Sequence, residues 1–113
     1  MEINYQSLLE DIQGNWTCIN TMNQITEENI PLEFSILISE NIISRSGREN
    51  EYWPQISGFE LVGSIKDRYF YREDGCFMQV KSLTEQQLEI ELSYKNKEGK
   101  LNTFIFTFSK VSN

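Results

Sequence analysis

The fold is decided by two stretches of this 113-residue chain, Gly14-Asn15-Trp16 near its start and Phe104-Ile105-Phe106-Thr107-Phe108-Ser109-Lys110 near its end. Between them lie runs in which every second residue is apolar, separated by short polar turns such as Asp74-Gly75. Strict alternation is typical of antiparallel strands with one face in a core, and Asp-Gly is a strong signal for a two-residue hairpin. The sequence therefore predicts one all-β domain over residues 1–113.

The alternation predicts about eight strands in simple succession, preceded by a short helical turn near residues 5–12. The predicted strands cover residues 15–22, 32–39, 42–46, 59–65, 68–73, 76–83, about 88–94 and 101–111. Closure into a barrel would bury the apolar face of such a sheet and remove its two edges. We therefore expect a small antiparallel up-and-down barrel. A flattened sandwich, whose strands alternate in the same way, stays open as an alternative.

Charge and composition argue against several classes of function. The formal net charge is 10 − 17 = −7, which repels phosphate backbones, so we expect no nucleic-acid partner. No stretch approaches the ~20 apolar residues of a membrane span, and the start lacks the features of a signal peptide, so a cytoplasmic location is expected. Because the chain has no histidine, no glycine-rich phosphate loop and no zinc-type cluster, we expect no enzyme, no cofactor and no metal.

The chain has two cysteines, Cys18 and Cys76, which are too few for a disulfide framework. They are expected as reduced thiols that pack as small hydrophobes, with a single disulfide between strands as the alternative. A catalytic thiol is not expected, because no histidine can serve as its base.

Several elements together resemble the lipocalin-like (calycin) barrels, and most closely their compact bacterial forms. They are the helical turn, Gly14-x-Trp16, the long first connection, the eight up-and-down strands and the ending Phe108-Ser109-Lys110. The resemblance implies that Trp16 packs at a closed end of the barrel under a basic residue of the last strand. Lys110 shares the parity of Phe108, so it is placed to make this cation–π contact.

The resemblance favours a non-enzymatic binding protein that holds a small hydrophobic molecule in the barrel. Longer connections gather at one predicted end, as expected for an opening framed by loops. An eight-stranded barrel is just wide enough to be filled by side chains or to hold one small ligand, and both interpretations stay open. Alternation places Met22 on the face of Trp16, and Tyr69 and Tyr71 on the inner face. The predicted ligand-binding residues are Met22, Phe34, Phe59, Tyr71, Tyr94 and Phe104.

The alternative is an acidic inhibitor that binds a basic protein partner, such as a toxin-neutralising immunity protein. Its surface would combine the first long loop with the segment that ends at Trp53. The predicted partner-binding residues are Glu27, Glu28, Glu49, Tyr52 and Trp53. Tyr52 and Trp53 suit an interface anchor, and they suit equally well a pair of rings that cover the barrel mouth.

Overall fold

The structure, a computed structural model, describes residues 5–62 and 68–111, and the side chains of residues 5–7 are not included in that description. Within these residues the chain forms one short helix and eight strands. They are α1 (Tyr5–Asp11), β1 (Gly14–Asn23), β2 (Phe34–Ser39), β3 (Ile42–Gly47), β4 (Ile56–Leu61), β5 (Tyr69–Arg72), β6 (Phe77–Leu83), β7 (Gln87–Lys95) and β8 (Leu101–Lys110). The described part of the chain holds no helix with the length and apolar character that spanning a bilayer requires.

The eight strands close into an antiparallel barrel in which every strand pairs with its neighbours in sequence. The barrel closes where β8 pairs with β1, in a register that sets Trp16 opposite Lys110 and Cys18 opposite Phe108. This last ladder removes the sheet edges that an open arrangement would leave. The predicted all-β up-and-down barrel is therefore confirmed, and the chain does not form the flattened sandwich.

The core lies inside the barrel because alternate residues of each strand point inward. On β8 the inward residues Phe104, Phe106 and Phe108 are almost fully buried, and on β7 Leu88 and Leu92 are completely so. Helix α1 contributes apolar side chains to the same core cluster. The period-two pattern of the sequence thus translates directly into an inner and an outer face.

The closed end of the barrel is built around Trp16, which is 1% exposed. Its indole Nε1 donates a hydrogen bond of 2.9 Å to the carbonyl oxygen of Ile12. The Nζ atom of Lys110 lies 4.5 Å from the centre of the Trp16 ring and donates to the carbonyl oxygen of Gln13 at 2.6 Å. Gly14 has a φ of +116°, and a Cβ there would lie only 2.5 Å from this Nζ. The predicted contact between Trp16 and Lys110 is confirmed.

Strand β1 contains a β-bulge that corrects one predicted orientation. The register with β8 shifts between Cys18 and Asn20, so Ile19 is an extra residue and is 56% exposed. After the bulge the inward position falls on Thr21, which is 1% exposed, rather than on Met22. The prediction that Met22 shares the inner face of Trp16 is wrong, because one inserted residue reverses the alternation.

Strand β5 also presents the opposite face from the one predicted. Phe70 and Arg72 are 2% and 1% exposed and point inward, whereas Tyr69 and Tyr71 lie on the outside. The ring of Tyr71 packs there against Phe77, with ring centres 5.0 Å apart. The prediction of an inward Tyr69 and Tyr71 is wrong because it assumed that an arginine must face solvent.

Strand β4 begins earlier in the sequence than predicted. It begins at Ile56 rather than at residue 59, and it ends at Leu61. The early start is explained by pairing, because Ile56 aligns with Ser44 of β3. Residues 63–65, the predicted end of this strand, lie outside the described residues.

Both cysteines are free and buried, as predicted. The thiol of Cys18 lies 3.3 Å from the hydroxyl of Thr21, which lies on the same inner face after the bulge. Burial raises the pKa of both Cys18 and Cys76. These thiols therefore pack as apolar groups and are poor nucleophiles.

Candidate functional site: the open end of the barrel

The end of the barrel opposite Trp16 is framed by four loops, which we call the open-end loops. They comprise residues 24–33, 48–55, 73–76 and 96–100. Among the connections at the closed end, β2–β3 and β6–β7 cover only residues 40–41 and 84–86, and residues 63–67 of the third lie outside the described part of the chain. This asymmetry agrees with the sequence-based expectation for these connections, and it makes the open end the candidate functional site.

Trp53 of loop 48–55 lies inside the barrel and is 1% exposed. The Trp53 ring meets Phe106 and Phe108 edge-on, at ring-centre distances of 5.4 and 5.6 Å. Phe34 completes the cluster and lies 6.1 Å from Trp53. The interior at this level is therefore filled by rings, and one of them belongs to a loop rather than to the barrel wall.

Tyr52 covers the next layer toward the mouth. Its ring lies 4.6 Å from Phe104 and 5.3 Å from Tyr94, measured between ring centres. The hydroxyl of Tyr94 contacts a carboxylate oxygen of Glu51 at 3.4 Å. Burial and the nearby negative charge of Glu51 raise the pKa of Tyr52 to about 12, and the same causes raise the pKa of Tyr94. Both phenols are therefore uncharged across the physiological range.

The conformation of this loop is set by Asn50. Its side-chain oxygen accepts hydrogen bonds from the backbone N–H groups of Tyr52 at 3.0 Å and Trp53 at 2.8 Å, which is an Asx-type turn. Strand β3 meets the far end of the loop, where the N–H of Arg45 donates to the carbonyl oxygen of Gln55. These bonds fix the turn that aims Trp53 inward.

Arg72 lies beneath the loop as a buried guanidinium group, with 1% of the residue exposed. Its Nε and Nη2 atoms donate to the two carboxylate oxygens of Asp74 at 3.0 and 2.5 Å. Nη2 also donates to the carbonyl oxygen of Tyr52 at 2.8 Å, and Cζ lies 5.1 Å from the centre of the Trp53 ring. Burial alone would raise the pKa of Asp74, but the hydrogen bonds and charge of Arg72 outweigh it and hold that pKa below its usual value.

Several buried donors around this loop have no hydrogen-bond acceptor. Among the described residues, the buried side-chain nitrogens without a partner are Arg45 Nε, Asn50 Nδ2, Trp53 Nε1 and Arg72 Nη1. All four belong to the loop or to residues that contact it. The open end therefore holds more buried hydrogen-bond donors than acceptors. A buried donor left unpaired costs about 1–3 kcal/mol.

A cleft of about 410 Å³ opens in the barrel wall next to this region. Strand β1 pairs with β2 only as far as Thr17 and Ser35, so Cys18 and Phe34 reach the cleft from the inner face. The remaining lining residues are Glu33, Ser46, Gly47 and Arg48. The cleft is shallow and largely open to solvent, and Phe34 links it to Trp53.

The predicted ligand-binding residues separate into two groups. Phe34, Phe59 and Phe104 point inward and are at most 5% exposed, and Tyr94 is half-buried at the mouth. Met22 and Tyr71 lie on the outer face and do not join them, for the reasons given above. The structure thus places four of the six predicted residues on the inner face or at the mouth, and the other two on the outer face.

The residues of the predicted protein-binding surface also separate. Glu27, Glu28 and Glu49 are exposed on the open-end loops, whereas Trp53 is buried and Tyr52 is half-buried against other rings. The residues that sequence reasoning missed are Arg72 and Asn50. The Arg-x-Asp spacing ahead of a hairpin glycine was the available signal for the first, and the Asn two residues before Tyr52 for the second.

The fold and this end together define a class: an eight-stranded, closed, antiparallel up-and-down barrel with a loop that fills one end. No protein-family model, no curated protein and no solved structure shows a significant match to this chain.

Proposed function

We propose that this chain is a non-enzymatic, lipocalin-like binding protein that holds a small hydrophobic molecule in the open half of its barrel. The observation that carries the proposal is that Trp53, a buried ring, belongs to a loop. This ring fills the centre of the barrel, yet it belongs to loop 48–55 and not to a strand. A strand residue cannot leave the interior without unfolding the sheet, whereas a loop residue can.

The attachments of the loop support its displacement. Within residues 49–54, the Asx turn of Asn50 is internal to the loop and moves with it. The polar links to the barrel that these residues make in the described structure are Arg72 Nη2 to the Tyr52 carbonyl and the long contact between Tyr94 and Glu51. Removal of Trp53 would leave a chamber lined by aromatic rings, which is the usual environment of a small apolar ligand.

The test uses nuclear magnetic resonance of the full chain with ethylnaphthalene as an apolar probe. The indole N–H signal of Trp53 is expected to shift and saturate at one equivalent of bound probe. The indole N–H of Trp16, which is held by Ile12 at the closed end, is the internal control and should not move. If neither signal responds at any probe concentration, the proposal is wrong and the barrel is a solid core.

Two variants locate the binding position. Phe104→Leu replaces a ring that touches Tyr52 on the inner face by a smaller side chain, so it should weaken probe binding. Phe77→Leu makes the same change on the outer face, where the ring is 46% exposed, and should leave binding unchanged. Equal effects of the two variants would place the probe outside the barrel.

A second candidate is the acidic protein-binding module, and loop 24–33 favours it. This loop carries Glu27, Glu28 and Glu33, contains no basic residue, and holds Ile25 at 72% exposure. The side-chain oxygen of Asn23 accepts hydrogen bonds from the N–H groups of Ile25 and Thr26, which hold this turn in place. An exposed apolar residue in a loop with three carboxylates suits a basic partner. Binding to a basic protein partner that weakens steeply with salt and is lost in the Ile25→Ser variant would support this candidate. Unchanged binding of the partner by Ile25→Ser would oppose it.

A further inference from the structure

The loop that fills the barrel supplies Arg72 with two distinct groups. One is an uncharged carbonyl oxygen, that of Tyr52, 2.8 Å from Nη2. The other is the aromatic face of Trp53, whose ring centre is 5.1 Å from Cζ. A molecule that displaces the loop removes both from a guanidinium that is almost fully buried. It must therefore replace both, or leave further buried donors unpaired in addition to Nη1.

The charge of Arg72 is already balanced by a group that does not travel with the loop. Asp74 comes from the turn after β5, and it occupies Nε and one position of Nη2. A ligand carboxylate bound to the buried Arg72 would add a second negative charge beside Asp74, whose side chain is 37% exposed, and Arg72 already has its counter-ion, so the added charge is unfavourable. Arg45 shares the inner face at the mouth, and its Nε is buried without a partner, but the residue as a whole is half-buried, so solvent meets part of its charge.

From these contacts we propose that the ligand is an aromatic compound with an uncharged carbonyl oxygen beside its ring. The oxygen accepts hydrogen bonds from Nη1 and Nη2 of Arg72, and the ring takes the place of Trp53 over the guanidinium. The inference rests on the proposed binding function and names the chemical class of the ligand. In this arrangement loop 48–55 is an internal mimic of the ligand.

Three probes of matched shape test the inference on the unmodified chain: acetylnaphthalene, ethylnaphthalene and naphthoate, all substituted at the same ring position. Binding is followed by the indole signal of Trp53 and by calorimetry. The ketone is expected to bind about 10- to 100-fold more tightly than the hydrocarbon, the range of a hydrogen bond to a charged donor. It is also expected to bind more tightly than naphthoate, because the arginine is already neutralised.

The outcomes separate this inference from the function on which it rests. Equal affinity for the ketone and the hydrocarbon would overturn the role of Arg72 and leave the binding function intact. Tightest binding of naphthoate would overturn the requirement for an uncharged ligand. Absence of binding by all three probes would refute the binding function itself.

Two variants add an independent check. Arg72→Met removes the donors and keeps an apolar side chain, so the preference for the ketone over the hydrocarbon should disappear. Asp74→Asn removes the balancing carboxylate, so naphthoate should gain at least about tenfold in affinity and become the preferred probe. An unchanged order of the three probes in Asp74→Asn would contradict the charge argument. If Arg72→Met does not fold, the probe series on the unmodified chain still decides.

Discussion

Separate replacement of each tryptophan by phenylalanine is expected to affect the two ends of the barrel very differently. Trp16 and Trp53 are a matched pair, because each is 1% exposed and each lies against a cationic side chain. The loss of ring size and of cation–π attraction is therefore similar at the two sites. What differs is the indole N–H, which is bonded to Ile12 at Trp16 and has no acceptor at Trp53.

The magnitude follows from this single difference. Trp16→Phe leaves the Ile12 carbonyl oxygen without its buried donor, a loss of about 1–3 kcal/mol. Trp53→Phe removes an unpaired donor and recovers a similar amount. After the common terms cancel, Trp16→Phe should be more destabilising than Trp53→Phe by at least about 2 kcal/mol.

Urea unfolding followed by far-ultraviolet circular dichroism measures both variants against the unmodified chain. The comparison is valid if the dependence of unfolding free energy on urea is the same in all three proteins. A difference below about 0.5 kcal/mol between the two variants would refute the reasoning. It would mean that the Trp53 indole has an acceptor in solution, and the excess of donors at the open end would then be smaller than we infer.

Three further predictions concern single contacts. Lys110→Met should lower the unfolding free energy by about 1–2 kcal/mol, because it removes the cation over Trp16, and Lys100→Met, on an exposed loop, should have almost no effect in the same urea assay. Asp74 has a pKa below its usual 3.8, so its contribution to the unfolding free energy is present above pH 3.8 and is lost as the pH falls through the lowered value. In unfolding curves recorded at a series of pH values, Asp74→Asn should therefore reduce the fall of unfolding free energy in acid. Tyr52 has a pKa raised from 10 to about 12, so its contribution is complete below pH 10 and is lost as the pH rises toward 12, and Tyr52→Phe should remove this alkaline decline.

The closed end was predictable from the sequence because its determinants are local and periodic. Alternation fixes the inner face of β8, and that parity carries Lys110 to the level of Trp16 once the barrel closes. The absence of a side chain at Gly14 leaves the space that the Lys110 amine occupies. Pattern and packing agree here, so the expected contact is found.

The errors occur where a single residue changes the parity or where a distant partner changes the usual preference. Nothing in the residues around Ile19 marks a bulge, and yet the insertion of that residue moves Met22 to the outside. On β5, an arginine takes an inner position because Asp74 pairs with it from the following turn. The prediction placed Tyr69 and Tyr71 inward because an arginine usually faces solvent. Arg72 and Phe70, which alternate with them, were therefore assigned to the wrong face.

Trp53 could not be assigned to the core from the sequence because a loop has no periodicity. Its position depends on the Asx turn of Asn50 and on the rings that receive it, which come from β2 and β8. The sequence left two interpretations of Tyr52 and Trp53 open, an exposed anchor or rings at the mouth. In the structure Tyr52 lies among the rings at the mouth, and Trp53 lies deeper than either interpretation expected.

The stability of the filled state limits how tightly a ligand can bind. Burial of an indole removes about 150–250 Å² from water, which at about 25 cal/mol per Å² is worth about 4–6 kcal/mol. Two unpaired donors, on Trp53 and Arg72, oppose this by at least about 2 kcal/mol, so burial of the Trp53 ring contributes no more than about 4 kcal/mol. The packing of Tyr52 on Phe104 and the hydrogen bond from Arg72 to the Tyr52 carbonyl add to this. A ligand that requires the open state loses apparent affinity by the fraction of molecules that are open, and an aromatic ligand of similar area regains the burial that the Trp53 ring gives up.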